Sequence, residues 1–241
     1  MFRLNPDLEL DAFAAAYRRD GRVHIPGFLD GDAAGELHRL LRSRSDWRQV
    51  LTTAAGGVVE LDRNTRAAMN PDQAAALNEA VYAQARSGFQ YRFETLRVPD
   101  GLAERRASDD PLTAFAAWLS QGEARDFLRR VTGNGDIDYA DAQATAYAPG
   151  DFLTGHDDEV SGKKRRAAYV FGLTPVWRIE WGGLLLFHDA DGHVERGFSP
   201  AFNSLNLFAV PAMHSVSEVT RAAPNRRYSI TGWLRTGPQP A

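Results

Sequence analysis

The chain has six histidines and no cysteine, so any metal it binds must be held by imidazole and carboxylate. His156 and Asp158 stand two positions apart. At the end of an expected strand, side chains at i and i+2 project from one face and can grip one ion. A third donor has to come from elsewhere, and His214 lies far enough downstream for several strands to return the backbone beside the pair. Two histidines and one carboxylate leave coordination positions open. That donor set suits a ferrous ion that takes a co-substrate and dioxygen side by side, which a closed four-ligand structural site could not do. The co-substrate needs an anchor, and a later expected strand places Arg227, Ser229 and Thr231 on one face and Tyr228 and Ile230 on the other. A guanidinium fork grips a carboxylate bidentately, and the Ser229 hydroxyl can add a hydrogen bond. Arg226 competes for the anchor role, because neighbours on one strand cannot both point inward and parity alone does not choose between them.

These residues fall in a half of the chain with a distinct texture. From about residue 136 onward, short apolar runs are separated by Gly, Pro, Asn and Asp, which predicts strands over residues 142–147, 152–154, 167–173, 183–188, 204–210, 214–219 and 227–234. The first half predicts helices over residues 8–19 (stopped by Gly21), 33–44, 71–86, 111–119 and 123–131. The third of these has an N-terminal signature in Asn70, Pro71 and Gln73. Strands are expected over 22–29 and 88–98, with a hairpin over 47–62 that turns at Gly56 and Gly57. The resulting expectation is an α+β fold, with a jelly-roll (double-stranded β-helix) core in the C-terminal half buttressed by N-terminal helices. Residues 1–241 then form one domain: mainly helical support over 1–135, the core over 136–236, and a loose tail over 237–241.

Composition agrees with a soluble globular protein rather than a disordered or fibrous one, at 44% hydrophobic and 24% charged residues. A net charge of -3 and a sequence pI near 6.1 supply no global basic field, so no nucleic-acid partner is expected. The run Lys163-Lys164-Arg165-Arg166 reads as a solvated loop between strands. The first residues, MFRLNPDLELDAF, lack a basic start followed by an apolar core, and no run reaches the length of a membrane span. No membrane association and a cytoplasmic location are therefore expected. The absence of cysteine also excludes disulfides and thiolate nucleophiles.

Three stretches carry a resemblance: YAPGDFLTGHDD (residues 147–158), WGGLLLFHDADG (181–192) and HSVSEVTRAAPNRRYSITGW (214–233). In this order they resemble the prolyl-hydroxylase branch of the 2-oxoglutarate oxygenases, and within it the subgroup containing the eukaryotic ribosomal-protein prolyl hydroxylases. The first 130 or so residues match only loosely. The resemblance implies that His156, Asp158 and His214 ligate Fe(II), that Arg227 with Ser229 binds the far carboxylate of 2-oxoglutarate, and that Tyr147 lines the co-substrate pocket. It also implies O2 as co-substrate, ascorbate as a candidate reductant, and a proline-containing protein or peptide as substrate. One departure stands out. The family often carries a tyrosine where this chain has Gly172, and Tyr169, on the same strand, has the opposite parity. Other readings are a 2-oxoglutarate oxygenase acting on a small molecule such as a free amino acid, and a jelly-roll binding protein without turnover. Among the remaining residues, Asp157 faces away from the ligands, His188 and His193 flank a turn as exposed hairpin residues, His24 and His38 are structural, and Trp177, Trp181 and Trp233 are core or rim aromatics.

Overall fold

The computed structural model describes residues 2–53 and 55–240; Ala241, the last residue of the expected tail, and Ala54, inside the expected hairpin, lie outside them. The N-terminal half contains α1 (Leu10–Asp20), β1 (Arg22–Pro26), α2 (Ala33–Ser43), β2 (Arg48–Thr52), β3 (Val58–Leu61), α3 (Arg63–Ala67) and α4 (Pro71–Ala85). It continues through β4 (Tyr91–Arg97), α5 (Leu102–Arg106), α6 (Pro111–Leu119) and α7 (Gly122–Thr132). The C-terminal half adds β5 (Tyr139–Ala140), β6 (Gln143–Tyr147), β7 (Phe152–His156), β8 (Arg165–Gly172), β9 (Leu185–His188), β10 (Val194–Phe198), β11 (Ser204–Ala209), β12 (His214–Val216) and β13 (Arg227–Arg235). Local chemistry accounts for the clearest boundaries. Asn70 and Gln73 close a reciprocal capping box around Pro71, while α1 ends on Gly21 at φ 66, a left-handed conformation that glycine adopts without a Cβ penalty.

The strands hydrogen-bond antiparallel in the order β1-β11-β8-β13-β6-β4-β7-β12-β9-β10, with the β2–β3 hairpin attached at β4. The path folds into two facing sheets, with β4 pairing to both β6 and β7 at the turn. The gap between the first and last strands is spanned by side chains: Arg22 pairs with Glu195 at 2.6 Å, and the ring of His24 stacks on Phe198. This near-closed barrel is the jelly-roll expected from the strand texture.

Strand alternation separates two interiors. Tyr169 and Phe171 of β8, Leu205 and Leu207 of β11, and Ile230 and Leu234 of β13 face outward into the larger core, beneath α1, α2, α6 and α7. There Phe115 stacks on Phe171 with centroids 5.3 Å apart, and Phe28 meets the same ring at 5.7 Å. Truncating a ring so fully enclosed costs roughly 3–5 kcal/mol. The opposite face of the same strands, with Ala168, Val170, Phe208 and Trp233, lines the barrel interior. Each inward residue is thus fixed by a well-packed outward neighbour.

Three sequence expectations need correction. The chain end is not loose, because the Gly237 N–H donates to Asp138 at 2.7 Å and the Pro240 carbonyl accepts from Leu102 N–H at 2.9 Å. Arg165 is not a solvated loop residue, since it opens β8 and lies 3.6 Å over the Trp233 ring. His188 is half-buried, with Nε2 2.8 Å from the Ser215 hydroxyl, rather than an exposed hairpin residue. Among the described residues, no helix is long and apolar enough to cross a membrane.

Candidate active site

His156 ends β7 and His214 begins β12, and the two are register partners across that antiparallel pair. Sheet pairing therefore sets the spacing of the imidazoles, whose ring centroids are 4.1 Å apart. Each ring is oriented through Nδ1, which must carry the proton because its partner is a carbonyl oxygen: Thr154 O at 3.0 Å for His156 and Ala212 O at 2.7 Å for His214. Both Nε2 lone pairs are left facing the Asp158 carboxylate, with Nε2 to Oδ1 3.4 Å for His156 and Nε2 to Oδ2 3.4 Å for His214.

Asp158 joins this cluster by a route the sequence reading did not foresee. The i, i+2 projection needs a continued strand, but β7 stops at His156 and Asp158 has φ 65. A left-handed turn, which aspartate tolerates better than most residues, swings the carboxylate back over the two imidazoles. The Arg165 guanidinium holds the turn by donating to the Asp158 carbonyl at 2.7 Å. One donor atom from each of the three residues lies within 4.8 Å of the other two, making them the cluster able to hold a metal ion among the described residues.

Electrostatics suit a cation. Burial acts to raise the Asp158 pKa, but the flanking His156 and His214 rings outweigh it and hold the carboxyl below its ordinary range. Burial, with the neighbouring His156, pushes His214 down to about 4, so its imidazole is neutral and able to ligate near neutrality.

Where β13 begins, the two neighbouring arginines diverge. Arg226 turns to the helix-side face and pairs with the buried Glu94 at 2.6 Å, where Arg66 also meets that carboxylate. Arg227 turns inward, 4% exposed, and faces the ring of Tyr147 at 5.1 Å. Its Nε is buried without a hydrogen-bond partner among the described residues, and burial pulls its pKa down. Gly183 leaves room for it: a Cβ there would stand 3.0 Å from Arg227 Cδ and 3.4 Å from Trp177. Tyr147 stacks on Phe93 at 5.0 Å within an apolar cluster that includes Val216, Val219 and Trp177. Ser229 lies buried two residues beyond Arg227, its hydroxyl 2.9 Å from that of Thr145. Thr145 went unnoticed in the sequence. Its signal was strand parity, since it shares the inward face with Tyr147 on β6 and pairs in register with Ser229.

Gly172 also finds an explanation. It pairs with both Ser204 and Ser229 on the inward face, and a Cβ there would lie 2.1 Å from the Ala201 carbonyl oxygen. Backbone occupies the space a tyrosine would need. Tyr169 is no substitute, because it points into the helix-side core and donates to Asp141 O at 2.8 Å.

Residues 142–235 match the model of the 2OG-Fe(II) oxygenase superfamily. The matched segment contains His156, Asp158, His214, Arg227, Ser229 and Tyr147. The chain is similar to prolyl 3-hydroxylase OGFOD1 of Mus musculus, at 33% identity over 127 residues, covering 50% of this chain and 21% of that protein. It is similar to prolyl 3-hydroxylase sudestada1 of Drosophila melanogaster at 33% identity over 136 residues, covering 51% of this chain and 24% of that protein. The chain thus spans about a quarter or less of either relative's length. Among solved structures it shares the fold of a Pseudomonas putida prolyl-4-hydroxylase, with a TM-score of 0.62 and 20% identity, covering 95% of this chain and 100% of that one.

The superfamily requires ferrous iron, 2-oxoglutarate and O2, and the side chains here fit that set. Two imidazoles and one carboxylate converge on one point, and an enclosed guanidinium facing the same interior has a nitrogen without a partner among the described residues. Such a cation suits the distal carboxylate of a dicarboxylic acid.

Proposed function

We propose that the chain is an Fe(II)- and 2-oxoglutarate-dependent dioxygenase that hydroxylates a prolyl residue of a protein substrate, with residues 1–241 acting as one oxygenase domain. The convergence of His156, Asp158 and His214 beside the inward-facing Arg227 carries this reading. His156, Asp158 and His214 would hold the iron. Arg227 would bind the far carboxylate of 2-oxoglutarate with the Ser229 and Thr145 hydroxyls, and Tyr147 would line the pocket. When bound, iron supplies the activation of O2 that couples conversion of 2-oxoglutarate to succinate and CO2 with hydroxylation of a C–H bond.

The chain's own residues contribute orientation, charge and dryness. The Nδ1 hydrogen bonds to Thr154 and Ala212 lock both imidazoles with Nε2 inward, an arrangement that strengthens histidine ligands. Asp158 supplies one negative charge toward a dication. Arg227 acts in a water-poor setting where a charge-assisted hydrogen bond is strong. The prolyl substrate rests on the likeness to the two prolyl 3-hydroxylases.

Succinate formation with Fe(II) and 2-oxoglutarate, in the absence of a prime substrate, is expected from the wild-type protein and is expected to be lost in Asp158→Ala. A wild-type protein that forms no succinate with any substrate would sink the oxygenase reading. Incubation with cell lysate followed by peptide mass spectrometry tests the prolyl part, with the gain of one oxygen atom on proline as the expected mark. Turnover on a free amino acid and none on any peptide would replace it with the small-molecule reading.

A further inference from the structure

Beside the metal cluster, but outside the segment matched to the superfamily, runs a row of aromatics. Phe89 is 46% exposed, and its ring lies 5.7 Å from that of His156 and 5.6 Å from Tyr91. Tyr91 in turn lies 5.4 Å from Phe93, which stacks on Tyr147. The row leads from the protein surface past the ligand histidine to the ring facing Arg227. A single exposed phenylalanine needs no explanation. This one is anchored with unusual care. The side-chain oxygen of the buried Gln90 accepts from the Thr52 N–H at 2.9 Å and the Thr52 hydroxyl at 2.8 Å, while its Nε2 donates to Thr52 O at 2.9 Å. Its backbone exchanges hydrogen bonds with Thr154, donating to the hydroxyl and accepting from the N–H, both at 2.9 Å. The carbonyl of the same residue, Thr154 O, orients His156. The backbone next to Phe89 is therefore clamped between the β2–β3 hairpin and the ligand-bearing strand, while the ring itself stays open to solvent.

We propose that Phe89, backed by Tyr91, is a substrate-contacting platform that packs the pyrrolidine ring of the target residue on the His156 side of the site and selects an uncharged, C–H-rich ring over a polar side chain. The inference rests on the prolyl-hydroxylase reading and deepens it. A phenyl face offers apolar area and a negative quadrupole to the ring C–H bonds, and proline-containing segments dock on aromatic-lined surfaces with little ordering cost. Because the clamp pre-sets the platform, little entropy is lost when the substrate lands.

The test uses the full chain loaded with Mn(II) and 2-oxoglutarate, and N-acetyl-L-proline methylamide as the probe, with N-acetylglycine methylamide as the control. Paramagnetic broadening of the probe's protons reads its approach to the metal, and water-proton relaxation in the same samples reads Mn(II) binding. Wild-type protein is expected to broaden the pyrrolidine protons and to favour the proline probe over glycine. Phe89→Ala is expected to bind the proline probe about tenfold more weakly while still holding Mn(II), and Phe89→Tyr to retain most of the affinity. Equal affinity of Phe89→Ala and wild type for the proline probe, or equal binding of the two probes by wild type, overturns the proposal. Failure of the wild-type protein to hold Mn(II) at all would instead remove the metal reading beneath it, and the relaxation signal separates the two cases.

Discussion

Replacing Arg227 by methionine exchanges an enclosed guanidinium for an apolar side chain at a position 4% exposed. Without co-substrate, no carboxylate partners this cation among the described residues, and its favourable contact is with the Tyr147 ring at 5.1 Å. Exchanging buried charge for apolar volume is often stabilising by about 1–4 kcal/mol. Loss of a cation–π contact returns about 1 kcal/mol of that. A net gain of about 0–3 kcal/mol remains, and at roughly 2–4 °C per kcal/mol for a chain of this size the variant should melt up to about 12 °C above wild type. 2-Oxoglutarate should narrow or reverse the difference. At about one hundred times its dissociation constant, a ligand that binds only the folded state adds about 2.7 kcal/mol, a rise of some 5–11 °C for wild type and none for the variant. Thermal melting with Mn(II) in place of iron, with and without 2-oxoglutarate, reads both effects. An Arg227→Met protein that melts below wild type without the co-substrate, and still gains stability when it is added, would refute the assignment of this guanidinium as an anchor held in waiting.

Arg226→Ala should leave the 2-oxoglutarate requirement for succinate formation unchanged but cost about 1–3 kcal/mol in chemical denaturation, because the buried Glu94 keeps only Arg66; a raised co-substrate requirement would reassign the anchor. Gly172→Tyr, which restores the family's usual residue, should cost about 3 kcal/mol or more because its Cβ alone meets the Ala201 carbonyl oxygen at 2.1 Å; a variant as stable as wild type with tighter 2-oxoglutarate binding would show that the pocket accepts the ring. Burial pushes Asp151 up to about 7, partly offset by the Ala148 N–H and Arg92, so the folded state holds a proton that the unfolded chain releases near pH 4. Stability from this group is therefore present below about pH 4 and is lost as pH rises from there to about 7. Denaturation midpoints should show that downward slope in wild type and a flatter one in Asp151→Asn, and identical slopes would exclude Asp151 as its source.

Elements with strong local signals were legible in the sequence. The capping box at Asn70 and the helix over Pro111–Leu119 need little from the rest of the fold to be recognised. The strands carrying His214 and Arg227 were legible through their alternation. The exposed strand Val194–Phe198 was not, because its pattern VERGF lacks an apolar periodicity and it is held mainly by its pairing to β9. In the site, the identities of the donors were readable while the geometry of Asp158 was not, since a left-handed aspartate leaves no periodic trace. The choice between Arg226 and Arg227 depended on which face of β13 the helices cover, a tertiary fact. Thr145 and Gln90 were missed for a related reason: each acts through a partner distant in sequence, Ser229 in one case and Thr52 with Thr154 in the other.

The three converging side chains are held by two different kinds of constraint. His156 and His214 sit opposite each other on paired strands, so their separation is set by backbone hydrogen bonds that side-chain substitutions nearby do not break. Asp158 instead occupies a left-handed conformation that costs an ordinary residue about 1–2 kcal/mol. Arg165 opposes that cost by gripping the Asp158 carbonyl while its own guanidinium is sandwiched against Trp233. The carboxylate is consequently the member of the cluster most sensitive to change elsewhere. Arg165→Lys keeps the charge but loses both the planar stack and the fixed fork, so it should loosen Asp158 while leaving the imidazoles in place. Such a protein should bind metal more weakly, and yet show unchanged hydrogen-exchange protection at the amides of His156 and His214. Equal loss of protection at all three residues would mean that the sheet and the turn yield together, and that the ligand set is a single rigid unit.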